Sequence, residues 1–283
     1  MLYTLHITLL LLSGVIGGAR RPTKEARQYQ ISFLSGPSMY VDQDTPGEPA
    51  IAALTAEWDV AFVKPFPGID YSNDTNRHSL SQWVGILGGA CPGAEMTPCL
   101  QAGTHSRISA DGTETESFIW VEWFPDAGLG FTPAPVVAIP GDHFRVTVEV
   151  YTAATGKATI ENLSRNQSYA TLVSAQHPEL VGEQICPDRG SADIYVEWFI
   201  TNDRGIPGNP FAFNNVSFTN ISALSRSSKS YDLGTPGAAT YVNMVNEYGT
   251  VVVAEPVDNT SAKVYSPLGL DWTPSSGAYG GGW

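Results

Sequence analysis

Hydrophobic positions along this chain fall mostly in short runs in which every second residue is apolar, each run closed by glycine or proline. A period of two fits β-strands, whose side chains point alternately to opposite faces. Strands are predicted at 52–63, 82–87, 100–108, 117–124, 136–139, 144–152, 158–162, 169–174, 194–201, 211–220, 241–245 and 249–254, with a further one at 30–34. Turn pairs separate them: Pro67-Gly68, Asp111-Gly112, Pro140-Gly141, Thr155-Gly156 and Pro207-Gly208. No stretch keeps a 3.6-residue apolar period long enough for a helix. Many short strands with Gly/Pro turns describe an all-β chain, an antiparallel β-sandwich with few or no helices.

Within that pattern one pentapeptide nearly repeats. Trp120-Val121-Glu122-Trp123-Phe124 returns 75 positions later as Tyr195-Val196-Glu197-Trp198-Phe199. Parity sorts each copy into two faces. Ile119, Val121 and Trp123, like Ile194, Val196, Trp198 and Ile200, form a wholly apolar face suited to a core. The opposite face carries Phe118, Trp120, Glu122 and Phe124 in one copy, and Tyr195, Glu197 and Phe199 in the other. A solvated strand face would be Thr, Ser, Lys or Gln; aromatic rings around a single carboxylate predict a substrate cleft in which Trp120 and Tyr195 contact the substrate. The competing reading is two half-buried strands whose glutamates pair with Lys or Arg. With 15 Lys and Arg against 28 acidic residues, such partners are scarce.

Composition narrows the classes further. A chain of 283 residues suffices for one large β domain with a substantial core. The net charge of -13 argues against nucleic acid, whose phosphates need clustered cations. Residues 1–19 read as a signal peptide: an apolar run at 7–16 is followed by Gly17-Gly18-Ala19 and Arg20-Arg21. The run falls short of the roughly 20 residues that cross a bilayer. We therefore expect cleavage after Ala19, secretion, and no membrane association of the mature chain. Residues 20–50 form an N-terminal segment, either a pro-segment or a first strand; 51–265 the sandwich; and 266–283 a disordered Gly/Ser-rich tail. Six N-x-Ser/Thr sequons, at Asn73, Asn162, Asn166, Asn215, Asn220 and Asn259, are expected to carry glycans. The three cysteines, Cys91, Cys99 and Cys186, allow one disulfide and leave one thiol; their spacing does not choose the pair. No C-x-x-C or His-rich spacing points to a metal, and we expect no metal and no cofactor.

The common hydrolytic signatures are missing. The sequence holds no G-x-S-x-G, no H-E-x-x-H and no Asp-Thr-Gly, and its five histidines are scattered. The remaining chemistry falls to carboxylates or amides. Four motifs then occur in order: Trp83-Val84-Gly85-Ile86, Leu100-Gln101-Ala102-Gly103, Trp120-Val121-Glu122-Trp123-Phe124-Pro125-Asp126 and Val196-Glu197-Trp198-Phe199. Together they resemble the glutamic peptidases called eqolisins, secreted acid endopeptidases, chiefly fungal and insensitive to pepstatin. The resemblance runs from about Ala52 to Ser222 and on toward Val264. It implies a two-sheet antiparallel β-sandwich of jelly-roll, concanavalin-like type with seven-stranded sheets, and a catalytic pair at Gln101 and Glu197. It also implies a substrate cleft lined by Trp83 and Glu122, and a disulfide between Cys91 and Cys186, with Cys91–Cys99 as the local alternative. A protein or peptide is the implied partner, and the chain is expected to be a monomer.

The implied chemistry is coherent. Ionised Glu197 takes a proton from water as it attacks the peptide carbonyl and returns it to the leaving amine. Gln101 donates to the oxyanion. An ordinary glutamate, with a pKa of about 4.3, needs no tuning for this in mild acid. The chain departs from the family pattern at Leu87, where an Asp is usual, and at Val196 and Phe199 around Glu197-Trp198. It also lacks the early Asn-Trp-Ala-Gly motif. Two other classes compete: a retaining glycosidase using Glu122 and Glu197, which needs carboxyl groups about 5–5.5 Å apart, and a glycan-binding sandwich without catalysis.

Overall fold

The computed structural model describes residues 34–44, 46–65, 78–89, 97–108, 115–126, 129–130, 135–177, 184–200, 211–246 and 249–265. The expected signal peptide and tail lie outside them. Eighteen strands follow one another. They are β1 (Leu34–Asp42), β2 (Ile51–Asp59), β3 (Val63–Pro65), β4 (His78–Gly89), β5 (Cys99–Ile108), β6 (Thr115–Phe124), β7 (Leu129–Gly130), β8 (His143–Thr152) and β9 (Thr155–Asn162). The rest are β10 (Gln167–Ser174), β11 (Cys186–Ile200), β12 (Phe211–Phe213), β13 (Val216–Ser225), β14 (Ser230–Tyr231), β15 (Ala239–Val242), β16 (Met244–Asn246), β17 (Gly249–Asp258) and β18 (Ser261–Tyr265). The fold is all-β. Among the described residues no helix is long and apolar enough to cross a membrane.

Two antiparallel sheets carry the architecture. A seven-stranded sheet runs β15-β1-β11-β4-β5-β6-β7, and a nine-stranded sheet runs β10-β9-β8-β2-β13-β18-β17-β16 with β14 beside β13. The resemblance predicted two seven-stranded sheets; the second is widened by the short C-terminal strands. Between the sheets lies a single large core in which the expected parity holds: Ile119, Val121, Trp123, Ile194 and Val196 are all part of it. Trp58 packs edge-on against Phe218 with centroids 5.6 Å apart, and its indole N–H donates to Thr104 Oγ1 at 2.9 Å. Side chains of the intervening parity on β11, β4, β5 and β6 point away from this core.

The structure corrects three element boundaries. The span 136–139 is not a strand, although Val136 and Ala138 do point into the core. Pro135 and Pro140 bracket it and supply no N–H for a ladder, and the Val137 N–H goes to Gln167 Oε1 at 3.0 Å. Thr155-Gly156 begins β9 rather than forming a turn. The sandwich boundary at residue 51 moves too: of the two readings of residues 20–50, the first strand holds for 34–42, where β1 pairs with β11 on one side and β15 on the other.

Candidate active site

Strand register turns the outward face of the seven-stranded sheet into a grid. One row across β1, β11, β4, β5 and β6 reads Leu34, Glu197, Ser81, His105, Phe118. The next aligned row on β11 to β6 reads Tyr195, Trp83, Gly103, Trp120. Then come Ser38, Asp193, Gly85, Gln101, Glu122, and finally Tyr40, Ser191, Leu87, Cys99, Phe124. All six residues expected at the site (Gln101, Glu197, Trp83, Glu122, Trp120 and Tyr195) therefore share one face. Most of its polar groups are buried: Gln101, Glu122, Asp193, Glu197, Ser81 and His105.

Trp83 lies at the centre. Its indole N–H donates to Glu197 Oε2 at 3.0 Å, and its ring meets Tyr195 edge-on, centroids 5.2 Å apart. The ring can lie down because its neighbour is Gly85. A Cβ there would stand 2.8 Å from Trp83 Cζ3 and 2.8 Å from Cys99 Sγ. On the far side of that gap the Gln101 amide nitrogen donates to Glu122 Oε2 in a short hydrogen bond. The Gln101 carbonyl end faces the Cys99 sulfur at 3.9 Å. These contacts orient the amide with its nitrogen toward Glu122. Trp120 is half-buried, and its indole N–H is buried with no hydrogen-bond acceptor among the described residues.

Electrostatics on this face run against charge. Burial pushes the Glu197 carboxyl up to about 8; the Trp83 hydrogen bond works in the opposite sense and the Glu122 charge adds to the rise. This overturns the expectation of an ordinary glutamate. Asp193 is raised to about 6 by burial, against hydrogen bonds from Ser38 and Ser191. His105 is lowered to about 3, first by burial and then by the Arg107 charge, so its ring is neutral in mild acid. Its Nδ1 lies 2.6 Å from Ser81 Oγ, beside Glu197. Sequence reading missed the Ser81–His105 pair, whose members are 24 residues apart, and also missed Asp193, although parity put it on the Glu197 face. Leu87 joins Cys99 and Phe124 in a small apolar cluster separate from the core.

The register also weighs on the two-carboxylate alternative. Glu122 on β6 and Glu197 on β11 are three strands apart in the sheet, one strand more than separates Gln101 on β5 from Glu197, and the Glu122 charge still raises the Glu197 carboxyl. Among the modification sites, Asn162 is fully buried. Its amide donates to Val137 O and Asp142 Oδ2, both at 2.8 Å, and its carbonyl accepts from the Arg165 N–H at 3.1 Å. That sequon closes a turn and has no room for a glycan. Asn166, Asn220 and Asn259 are exposed, Asn215 is half-buried, and Asn73 lies outside the described residues. Cys99 is a free buried thiol, which removes the Cys91–Cys99 alternative; Cys91 lies outside the described residues.

Comparison with known proteins follows the same lines. The family profile described as Peptidase A4 family matches residues 40–265. Aspergillopepsin-2 of Aspergillus niger is 32% identical over 191 residues, which are 67% of this chain and 60% of that protein. The chain's match thus spans about three fifths of that relative. Scytalido-glutamic peptidase, solved with a transition state analog inhibitor, superposes with a TM-score of 0.59 at 19% identity, over 84% of this chain and 100% of that one. Aspergilloglutamic peptidase from Aspergillus niger gives 0.52 at 28% identity, over 66% of this chain and 98% of that one. The chain belongs to the peptidase A4, or eqolisin, family of glutamic peptidases.

Proposed function

We propose that this chain is a secreted acid endopeptidase that cleaves protein or peptide substrates with Glu197 as general base and acid and Gln101 as oxyanion donor. It acts as a glycosylated monomer, stapled by Cys91–Cys186 and needing no metal or cofactor. One observation carries the reading: Glu197 and Gln101 flank Trp83 on the same buried polar face, two rows and two strands apart. An amide and a carboxyl on either side of an aromatic platform suit a peptide bond laid across that platform.

Glu197 must be ionised to act as a base. Desolvation is what holds its proton, and hydrolysis brings a water beside it, which relieves that desolvation. Trp83 then favours the carboxylate through its hydrogen bond. Water attacks the carbonyl as Glu197 takes its proton, and the same proton passes to the departing amine. Glu122 holds the Gln101 amide nitrogen ready to donate, and Gln101 stabilises the oxyanion as charge develops. The orphaned Trp120 N–H supplies a donor for a substrate carbonyl, since leaving it unpaired costs about 1–3 kcal/mol.

The test offers secreted protein two substrates at acidic pH with pepstatin present: a denatured protein and a β-linked polysaccharide. Fragmentation of the protein by wild type, lost in Gln101→Ala, supports the peptidase. Polysaccharide cleavage that survives Gln101→Ala and disappears in Glu122→Gln would replace it with the glycosidase.

A further inference from the structure

Asp193 is a buried acid for which the chemistry above has no use. It precedes Tyr195 by two residues and Glu197 by four, so all three project from the same face of β11. Directly opposite Asp193 on β1 stands Ser38, whose hydroxyl donates to Asp193 Oδ1 in a short 2.5 Å bond. Ser38 is also hydrogen-bonded to the Tyr195 hydroxyl, and Ser191 supplies Asp193 with a second partner. From Tyr195 the contacts run on through its edge-on packing with Trp83 to the Trp83 N–H on Glu197. Ser38, Asp193, Tyr195 and Trp83 are all at most 4% exposed.

The Tyr195 ring is fitted closely on the β1 side as well. A Cβ on Gly36 would stand 2.9 Å from Tyr195 Cδ1. The ring is thus held at its hydroxyl by Ser38, along its flank by the bare backbone at Gly36, and at its edge by Trp83.

We propose that Ser38 and Asp193 are positioning residues that, through Tyr195, brace the Trp83 indole so that its N–H holds Glu197 in its working orientation. The inference rests on the peptidase reading for its link to rate, and on geometry alone for its link to Trp83. A purely structural seam between β1 and β11 does not account for the arrangement. Backbone pairing from Leu34↔Glu197 to Asp42↔Arg189 already joins the strands, and an apolar residue at 193 would avoid the cost of burying an acid. That cost is visible in the carboxyl being pushed up to about 6.

The experiment combines kinetics with the 15N-labelled indole N–H signal of Trp83, assigned by its loss in Trp83→Phe. Ser38→Ala, Asp193→Asn and Tyr195→Phe should each lower kcat roughly tenfold with KM held within about twofold. Ser38→Ala combined with Tyr195→Phe should lose little more than the worse single variant, because both break one path. Ser38→Thr, which keeps the hydroxyl, should recover most of the rate. In Ser38→Ala and Asp193→Asn the Trp83 signal should shift and exchange faster with solvent. An unmoved Trp83 signal in both, in folded protein, would overturn the proposal, as would kcat at the wild-type level. Should Glu197→Gln turn over substrate like wild type, the peptidase reading falls, and the Trp83 signal by itself still decides whether Ser38 and Asp193 brace the indole.

Discussion

Glu57 and Glu197 are both almost fully buried, 5% and 6% exposed, yet their carboxyls move in opposite directions. Glu57 sits on β2, pointing away from the core of the nine-stranded sheet. Burial works to raise it, but hydrogen bonds from Asn220, Arg145 and His143, with the Arg145 charge, outweigh burial and hold it below the usual carboxylate range. Arg145 Nε lies 2.7 Å from Glu57 Oε1, Asn220 Nδ2 2.8 Å from Oε2, and His143 Nε2 3.1 Å from Oε2. Glu197 has one neutral indole donor and a second carboxyl nearby, and it is raised to about 8. Depth and partners together separate the two: Glu57 lies shallow and is held as an anion by cations and an amide, whereas Glu197 lies deep and, among the described residues, has no cation bonded to it, which leaves a group that can exchange a proton.

The comparison breaks first on rate. Glu197→Gln should lower kcat by roughly 10²–10⁴-fold, the range for losing a general base, and Gln101→Ala by roughly 10²–10³-fold, the range for an oxyanion donor. Glu57→Gln should leave turnover per folded molecule near wild type and act on stability, since it removes the charge that Arg145 Nε and His143 Nε2 share and leaves them only Glu161 and Asp59. A loss of roughly 1–3 kcal/mol is expected, read as a lower Tm.

A second effect concerns pH. Asp193 and Glu197 have folded-state pKa values above their ordinary ones, at about 6 and about 8. From about pH 5 to 8 the folded chain therefore binds more protons than the unfolded chain, the buried neutral His105 offsetting part of that excess below its ordinary pKa of 6.5, and stability falls as pH rises through that window. Calorimetry of wild type should show a Tm at pH 8 lower by roughly 5–10 °C than at pH 5, and Glu197→Gln should flatten that slope. A Tm that climbs over the window would contradict the assignment of raised carboxyls.

Removing the Trp83 donor should be milder than removing Glu197. Trp83→Phe takes away the contact that favours the carboxylate, so the Glu197 pKa rises further and the acidic limb of the kcat/KM profile moves to higher pH, with kcat down roughly tenfold. Asn220→Ala should be mildest, costing about 1 kcal/mol near neutrality. Because Glu57 is depressed, that contribution is present above its unfolded pKa and disappears as pH falls through the folded one. Denaturant melts of Asn220→Ala and wild type should converge at low pH.

Much of this was legible in the sequence, for a physical reason. Period-two patterning fixes which face a side chain takes, so the aromatic–carboxylate face at Trp120, Glu122, Tyr195 and Glu197 was readable before any fold. Register across strands was not, because the hydrophobic pattern says nothing of which residue stands opposite which. Hence Ser81 beside His105, and Ser38 opposite Asp193, emerged only from pairing. β1 was largely overlooked because Ser35, Gly36, Pro37 and Ser38 interrupt its apolar pattern. Pro37 is accommodated inside the strand. Burial of the cleft face depends on tertiary packing, which is why Glu197 was expected to be an ordinary acid and is not.

The most direct measurement is cleavage of acid-denatured protein in the presence of pepstatin, with Glu197→Gln and Glu57→Gln compared at equal concentrations of folded protein. The account predicts wild-type product accumulation from Glu57→Gln and none above the blank from Glu197→Gln. Comparable cleavage by the two variants would contradict the assignment of the chemistry to Glu197.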